Sequence, residues 1–150
     1  MGNLNWLLTQ AHYALAAELA AALEPLGLTP RGHAVLSAAQ TGPHTQKQLA
    51  DLVGLDKTTM VATLDELERA GFARRVPSES DRRAHVVQVT PEGRKKIGAA
   101  NRIATRVDAD VLGSLGEDTS DELIATLGRL VRERLAEPPA CRGMRRREPR

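Results

Sequence analysis

Aromatic side chains are nearly absent from this chain: one Trp, one Tyr and one Phe, 2% of its 150 residues. A core without them must be built from Leu, Val, Ile and Ala, which suits helices packed on helices better than a β-sandwich. Cysteine is as scarce. The single Cys141 excludes an intramolecular disulfide framework. No apolar run approaches the roughly 20 residues that span a bilayer. Met1-Gly2-Asn3-Leu4-Asn5 lacks the basic start and small-residue cleavage site of a signal peptide, so a cytoplasmic protein is expected. The usual marks of an enzyme are missing as well: there is no Gly-rich phosphate loop, nucleophile elbow or paired-histidine motif. His12, His33, His44 and His85 have no short ligand spacing and no accompanying cysteine, so neither a metal nor another cofactor is expected.

What is present is basic charge, unevenly placed. Five of the 21 basic residues (Arg142, Arg145, Arg146, Arg147 and Arg150) lie in the last nine positions, with Glu148 among them. Up to residue 135 there are 16 basic and 17 acidic residues, so the body of the chain is close to neutral. Between Arg69 and Lys96, eight basic residues stand against Glu79, Asp81 and Glu92, a local charge of +5. A concentrated positive patch on a neutral body is the footprint of a nucleic-acid face.

The length fits one domain. Leu4, Leu8, Ala11, Leu15, Leu19 and Leu23 recur at three- and four-residue intervals and predict a first helix, ended by Pro25 and Gly27. Thr29-Pro30 starts a second helix that runs to about Gln40. Thr45-Gln46-Lys47-Gln48 forms a capping box and opens a short helix to Val53, expected to be buried through Leu49, Leu52 and Val53. Gly54 supplies a tight turn, and Asp56 caps the next helix, which runs to Ala70. That succession is a helix-turn-helix. Strands over residues 72–76 and 84–89 flank a polar turn from Pro77 to Arg83 and predict a β-hairpin. Thr90-Pro91 then starts a long helix to about Leu115. A second capping box, Thr119-Ser120-Asp121-Glu122, leads a last helix through Leu123, Ile124, Leu127, Leu130, Val131 and Leu135. Residues 138–150 are expected to be a disordered basic tail.

On a wheel of 100° per residue, Met60, Val61, Leu64 and Leu67 cluster within about 120° and form a packing face. The opposite face carries Thr58, Thr59, Ala62, Asp65, Glu66 and Arg69, with Thr63 at its edge. A small, hydroxyl-rich helix end suits a DNA major groove, where Thr bonds base edges or phosphates and a methyl group meets the thymine methyl. An amphipathic helix with an idle solvent face is the plain alternative, weakened by the basic hairpin that follows.

The text from Asp56 through Arg75 resembles the recognition helix and first wing strand of the MarR family of bacterial regulators. Asp81-Arg82-Arg83 through Thr90-Pro91-Glu92-Gly93 resembles that family's wing signature, and the resemblance covers roughly residues 4 to 135. It implies a mainly α fold with a small β-hairpin wing: a winged helix-turn-helix over about 29–90, with dimerisation helices over about 4–23 and 91–135. It also implies a homodimer on a pseudo-palindromic operator in double-stranded DNA. The DNA-binding residues it implies are Thr45, Gln46, Lys57, Thr58, Thr59, Ala62 and Thr63 on the helices, and Arg75, Asp81, Arg82 and Arg83 on the wing. Arg83 would enter the minor groove with its guanidinium oriented by Asp81, Arg82 would meet phosphate, and Arg75 would help anchor the wing or the DNA backbone. Ala62 stands where the family often carries an arginine, so one guanine contact is missing.

The apolar stripes of the first and last helices exceed what a winged helix needs. They fit either an intramolecular core or an intertwined dimer interface. The resemblance further implies a repressor released by a small molecule, with Trp6, His12, Tyr13 and His33 as candidate ligand contacts. A winged helix used only for protein contacts fits the same elements but leaves the basic wing unexplained.

Overall fold

The computed structural model describes residues 2–79 and 83–136. Asp81, Arg82 and the tail from residue 138 onward, all expected above to meet DNA or solvent, lie outside the described residues. Six α-helices and a small sheet follow one another as α1 (Leu4–Leu23), α2 (Pro30–Ala39), β1 (His44–Thr45), α3 (Gln46–Val53), α4 (Lys57–Arg69), β2 (Ala73–Pro77), β3 (His85–Val89), α5 (Pro91–Gly113) and α6 (Glu117–Arg132). A single 3-10 turn, Glu24–Leu26, continues α1. The chain separates into two compact units, one ending at Asp108 and the other beginning at Ala109, with α5 running across the boundary.

In the first unit the helix starts are set by side-chain caps. Thr29 accepts from the Gly32 N–H at 3.0 Å, ahead of Pro30, whose missing N–H costs nothing there. Thr45 and Gln48 form the expected reciprocal box, at 3.3 and 2.8 Å. Gly54 ends α3 at φ 69°, the left-handed region that a side-chain-bearing residue enters only at a cost, and so permits the sharp turn into α4. The core collects Leu23, Val35, Leu36, Leu49, Met60, Leu64, Phe72, Val87 and Ile97, which ties the end of α1, the helix-turn-helix, the sheet and the start of α5 together.

The sheet is antiparallel with strand order β1-β3-β2, in register from Ala73↔Val89 to Pro77↔His85 and with His44 opposite Val87. Sequence periodicity shows only the hairpin. Two residues that serve at once as a strand and as the entry to α3 carry no alternation, so β1 is silent in the sequence. Thr90 joins this sheet to α5. Its N–H donates to the Phe72 carbonyl, and its hydroxyl donates to the Gly71 carbonyl at 2.7 Å and accepts from the Gly93 N–H at 3.0 Å. Gly93 must be glycine here, because a Cβ would lie 2.0 Å from the Phe72 carbonyl oxygen.

Three expectations need correction. Leu52 is 59% exposed, so α3 is held by Leu49 with Val53 half-buried. In the second unit, α6 begins at Glu117 behind Gly116, with no side-chain cap. The Thr119–Glu122 box does not form: an acidic first turn of Glu117 and Asp118 already complements the helix dipole, and the Ser120 hydroxyl turns back to the Leu112 and Gly116 carbonyls. Thr63, placed above at the edge of the outer face of α4, is only 4% exposed and packs beside Met60, Leu64 and Leu67.

Candidate nucleic-acid interface

The outward surface of the helix-turn-helix is made by the N-terminal half of α4. Asp56 caps it, accepting from the Thr59 N–H at 3.0 Å and from the Thr59 hydroxyl at 2.6 Å. The Thr59 hydroxyl, followed by the Thr59 backbone N–H, holds the Asp56 carboxyl below its ordinary range. Thr59 is thereby committed to the helix start. The Thr63 hydroxyl is spent too, on the Thr59 carbonyl at 2.8 Å, so burial and hydrogen bonding together remove Thr63 from the candidate DNA contacts. Lys57, Thr58 and Ala62 are exposed beside one another, and Val61 is half-buried at their flank.

Arg75 is the junction of the site. On β2, it faces α4 rather than solvent and forms ion pairs with Asp65, at 2.9 Å, and with Glu68. Its backbone N–H donates to the same Glu68 carboxylate at 2.6 Å, and its Nη2 reaches Gln46 Oε1 at 3.4 Å. One guanidinium thus holds wing, recognition helix and the start of α3 in a fixed relation, the planar fork suiting two carboxylates at once. Sequence reasoning placed Arg75 as an anchor but missed Asp65 and Glu68 as what it anchors to. Their three-residue spacing on α4 was visible; that the chain reverses after Ala70 and lays β2 against that face was not.

The basic patch is likewise divided. Arg74 donates to Gln88 across the outer face of the hairpin at 2.7 Å, Arg94 donates to the Val89 carbonyl at 3.0 Å, and the Lys96 ammonium lies 5.5 Å from the centre of the Phe72 ring. Lys95 pairs with Glu92 at 3.8 Å, so with Arg75 at least five of the described charges counted from Arg69 to Lys96 have intramolecular partners. Arg83 is exposed at the tip-side end of β3. Thr45 and Gln46 are half-buried at the start of α3, Thr45 as its cap.

The candidate ligand residues are dispersed. Trp6, His12 and Tyr13 are exposed on α1, Tyr13 by 75%. His33 is half-buried on α2, where its Nε2 donates to Asn101 Oδ1 of α5 at 2.7 Å. Two of the cavities among the described residues open on the first unit. One of about 750 Å³ lies against the wing and is lined by Gln40, Pro43, Val76, Glu79, Val86 and Arg94 among others. The other, of about 590 Å³, lies in the crook between α3 and α4, with Lys47, Asp51 and Lys57 at its edge. Neither takes a lining residue from Trp6, His12, Tyr13 or His33. Among the described residues no group of three or more metal-ligating side chains gathers, and no helix is long and apolar enough to cross a membrane.

This arrangement has close counterparts. The sequence model of the MarR family matches residues 29–85, the helix-turn-helix and most of the wing. The transcriptional repressor CouR, bound to a 23-mer DNA duplex, is 30% identical, with a TM-score of 0.77 over 86% of this chain and 92% of that one. A probable transcriptional regulator from Pseudomonas aeruginosa is 29% identical, with a TM-score of 0.77 over 85% of this chain and 96% of that one. A MarR family protein of Mycobacterium tuberculosis in complex with salicylic acid is 30% identical, with a TM-score of 0.74 over 87% of this chain and 97% of that one. The mainly helical fold with its antiparallel wing agrees with all three. The chain belongs to the MarR family of transcriptional regulators.

Proposed function

We propose that this chain is a homodimeric, sequence-specific DNA-binding repressor, released by a small organic ligand, acting in the cytoplasm and without enzymatic activity. The observation that carries the reading is the exposed start of α4, on a helix whose C-terminal half is clasped to a basic wing through Arg75. In this reading Lys57, Thr58 and Ala62 enter the major groove and Thr45 and Gln46 approach the backbone. Arg83 enters the minor groove with Asp81 orienting it, and Arg82 meets phosphate. The division of labour is a winged helix-turn-helix over about 29–90 and dimerisation helices over about 4–23 and 91–135. CouR, a repressor seen with DNA and with p-coumaroyl-CoA, and the Mycobacterium tuberculosis protein seen with salicylic acid support both the repression and the organic ligand.

The dimer follows from what the helices leave uncovered. α1 carries Glu18 as its only formally charged side chain, and its apolar stripe is left open. Leu4, Trp6, Leu7 and Leu8 are all exposed. An amphipathic helix is stabilised by burying such a stripe against another element. In the second unit, Leu123, Ile124 and Val131 of α6 are exposed as well. A second copy of the chain covers these faces, sets the two α4 helices about 34 Å apart, one turn of DNA, and completes a ligand pocket to which Trp6, His12, Tyr13 and His33 contribute.

The test is a gel shift with DNA from beside the protein's own gene, against random DNA over a range of salt. The expected result is specific binding that falls by about 1–3 kcal/mol in Arg83→Ala on A·T-flanked sites. Equal affinity for random DNA contradicts the reading, and an unchanged Arg83→Ala contradicts docking of the wing.

A further inference from the structure

The residues of α4 available to read bases are fewer and more apolar than its sequence suggests. At 100° per residue, Thr58, Ala62, Asp65 and Arg69 form one outward stripe about 60° wide. Asp65 is held by Arg75. Arg69 stands about 16 Å further along the axis than Thr58 at 1.5 Å per residue, on the turn that closes the helix. The two hydroxyls beside the stripe are removed from contention, Thr59 by Asp56 and Thr63 by burial and its bond to the Thr59 carbonyl. What the first two turns present is the Ala62 methyl, the exposed Thr58 with its methyl and hydroxyl, and the half-buried Val61. No Arg, Asn or Gln, the side chains that pair bidentately with guanine or adenine, stands on these turns; Lys57 is at their edge.

We infer that Ala62, flanked by the methyl groups of Thr58 and Val61, is a specificity-determining residue that reads thymine through its C5-methyl group in the major groove. The inference rests on the DNA-binding reading above and goes beyond it by naming the base and the atom read. The major groove shows a methyl only at T, so an apolar patch distinguishes T·A from the other pairs without a hydrogen bond. Contact between a methyl group and the Ala62 methyl also requires the helix backbone to come close, which a long side chain at position 62 forbids.

The experiment uses the full-length protein to select its preferred duplex from a random library, then replaces each thymine of that duplex singly by deoxyuridine. The replacement keeps every pairing and groove hydrogen-bond group and removes only the methyl. At one or two positions in each half-site, affinity should fall about fourfold, the worth of one buried methyl group. Ala62→Gly should abolish the penalty at one of those positions and keep it elsewhere. Because the readout is a ratio measured within one variant, loss of helix stability in Ala62→Gly does not affect it. Ala62→Arg should convert the preference at the same base pair to G·C. Indifference of the wild-type protein to deoxyuridine at every position overturns the inference while leaving DNA binding intact, as does an unchanged penalty in Ala62→Gly. Failure to select any sequence over random DNA overturns the DNA-binding reading itself.

Discussion

Gly93 shows how much a single residue settles in this fold. It lets the first turn of α5 rest on the Phe72 carbonyl, while Thr90 beside it bonds both the end of the α4 turn and its own helix start. The Thr-Pro-Glu-Gly text is therefore a lock between recognition helix, wing and α5. Gly93→Ala should destabilise the protein by about 1–3 kcal/mol, the usual cost of overpacking, seen as a lower urea midpoint with an unchanged slope; an unaltered midpoint would show that the junction yields. Asp56 settles the start of α4 in a different way. Its carboxyl is held below the ordinary carboxylate range by Thr59, so the folded state binds the proton less tightly than the unfolded chain does. The cap's charged contribution is then fully present above the usual carboxylate pKa and is lost as pH falls through the lowered one. Asp56→Asn keeps a capping oxygen but does not titrate. On acidification its thermal midpoint should fall less steeply than the wild type's, and parallel profiles would contradict the assignment.

At the scale of elements, the recognition helix and wing act as one body because Arg75 grips Asp65 and Glu68. Both carboxylates lie on the DNA-side helix, and Arg75 offsets one of their two negative charges there. The pairs are partly exposed, so the clasp is worth about 1 kcal/mol rather than the larger value of a buried network. Arg75→Ala should weaken operator binding about fivefold with the fold retained, Arg75→Lys should recover part of the loss, and operator affinity equal to wild type in Arg75→Ala would refute the positioning role. Most elements were legible in the text: the Thr29-Pro30, Thr45–Gln48 and Asp56 caps sit where the helices begin, and β2 and β3 lie within one residue of their expected ends. The misreadings share a cause. Leu52, Thr63 and the Thr119 box were judged by local pattern, whereas their fate depends on tertiary contact: nothing packs over Leu52, core residues surround Thr63, and an earlier helix start bypasses Thr119. The candidate site was legible as positions but not as hydrogen bonds, which decide that Thr59 and Arg75 serve the scaffold.

At the scale of the whole molecule, the feature left unanswered by one chain is its uncovered apolar surface. The first unit has a well-filled core, yet the N-terminal half of α1 contributes nothing to it, and α6 has no buried residue at all. The sequence left open whether these stripes were internal core or a shared interface, and their exposure favours a shared interface. A dimer also gives the DNA reading its geometry, since one α4 helix contacts too few base pairs to select a site. The most direct measurement is sedimentation of the full-length protein, free and mixed with its selected duplex. The account predicts a species of two chains in both cases, with a single dimer on each duplex. A monomer in solution that binds DNA one chain at a time, or a dimer indifferent to the selected duplex, would contradict it.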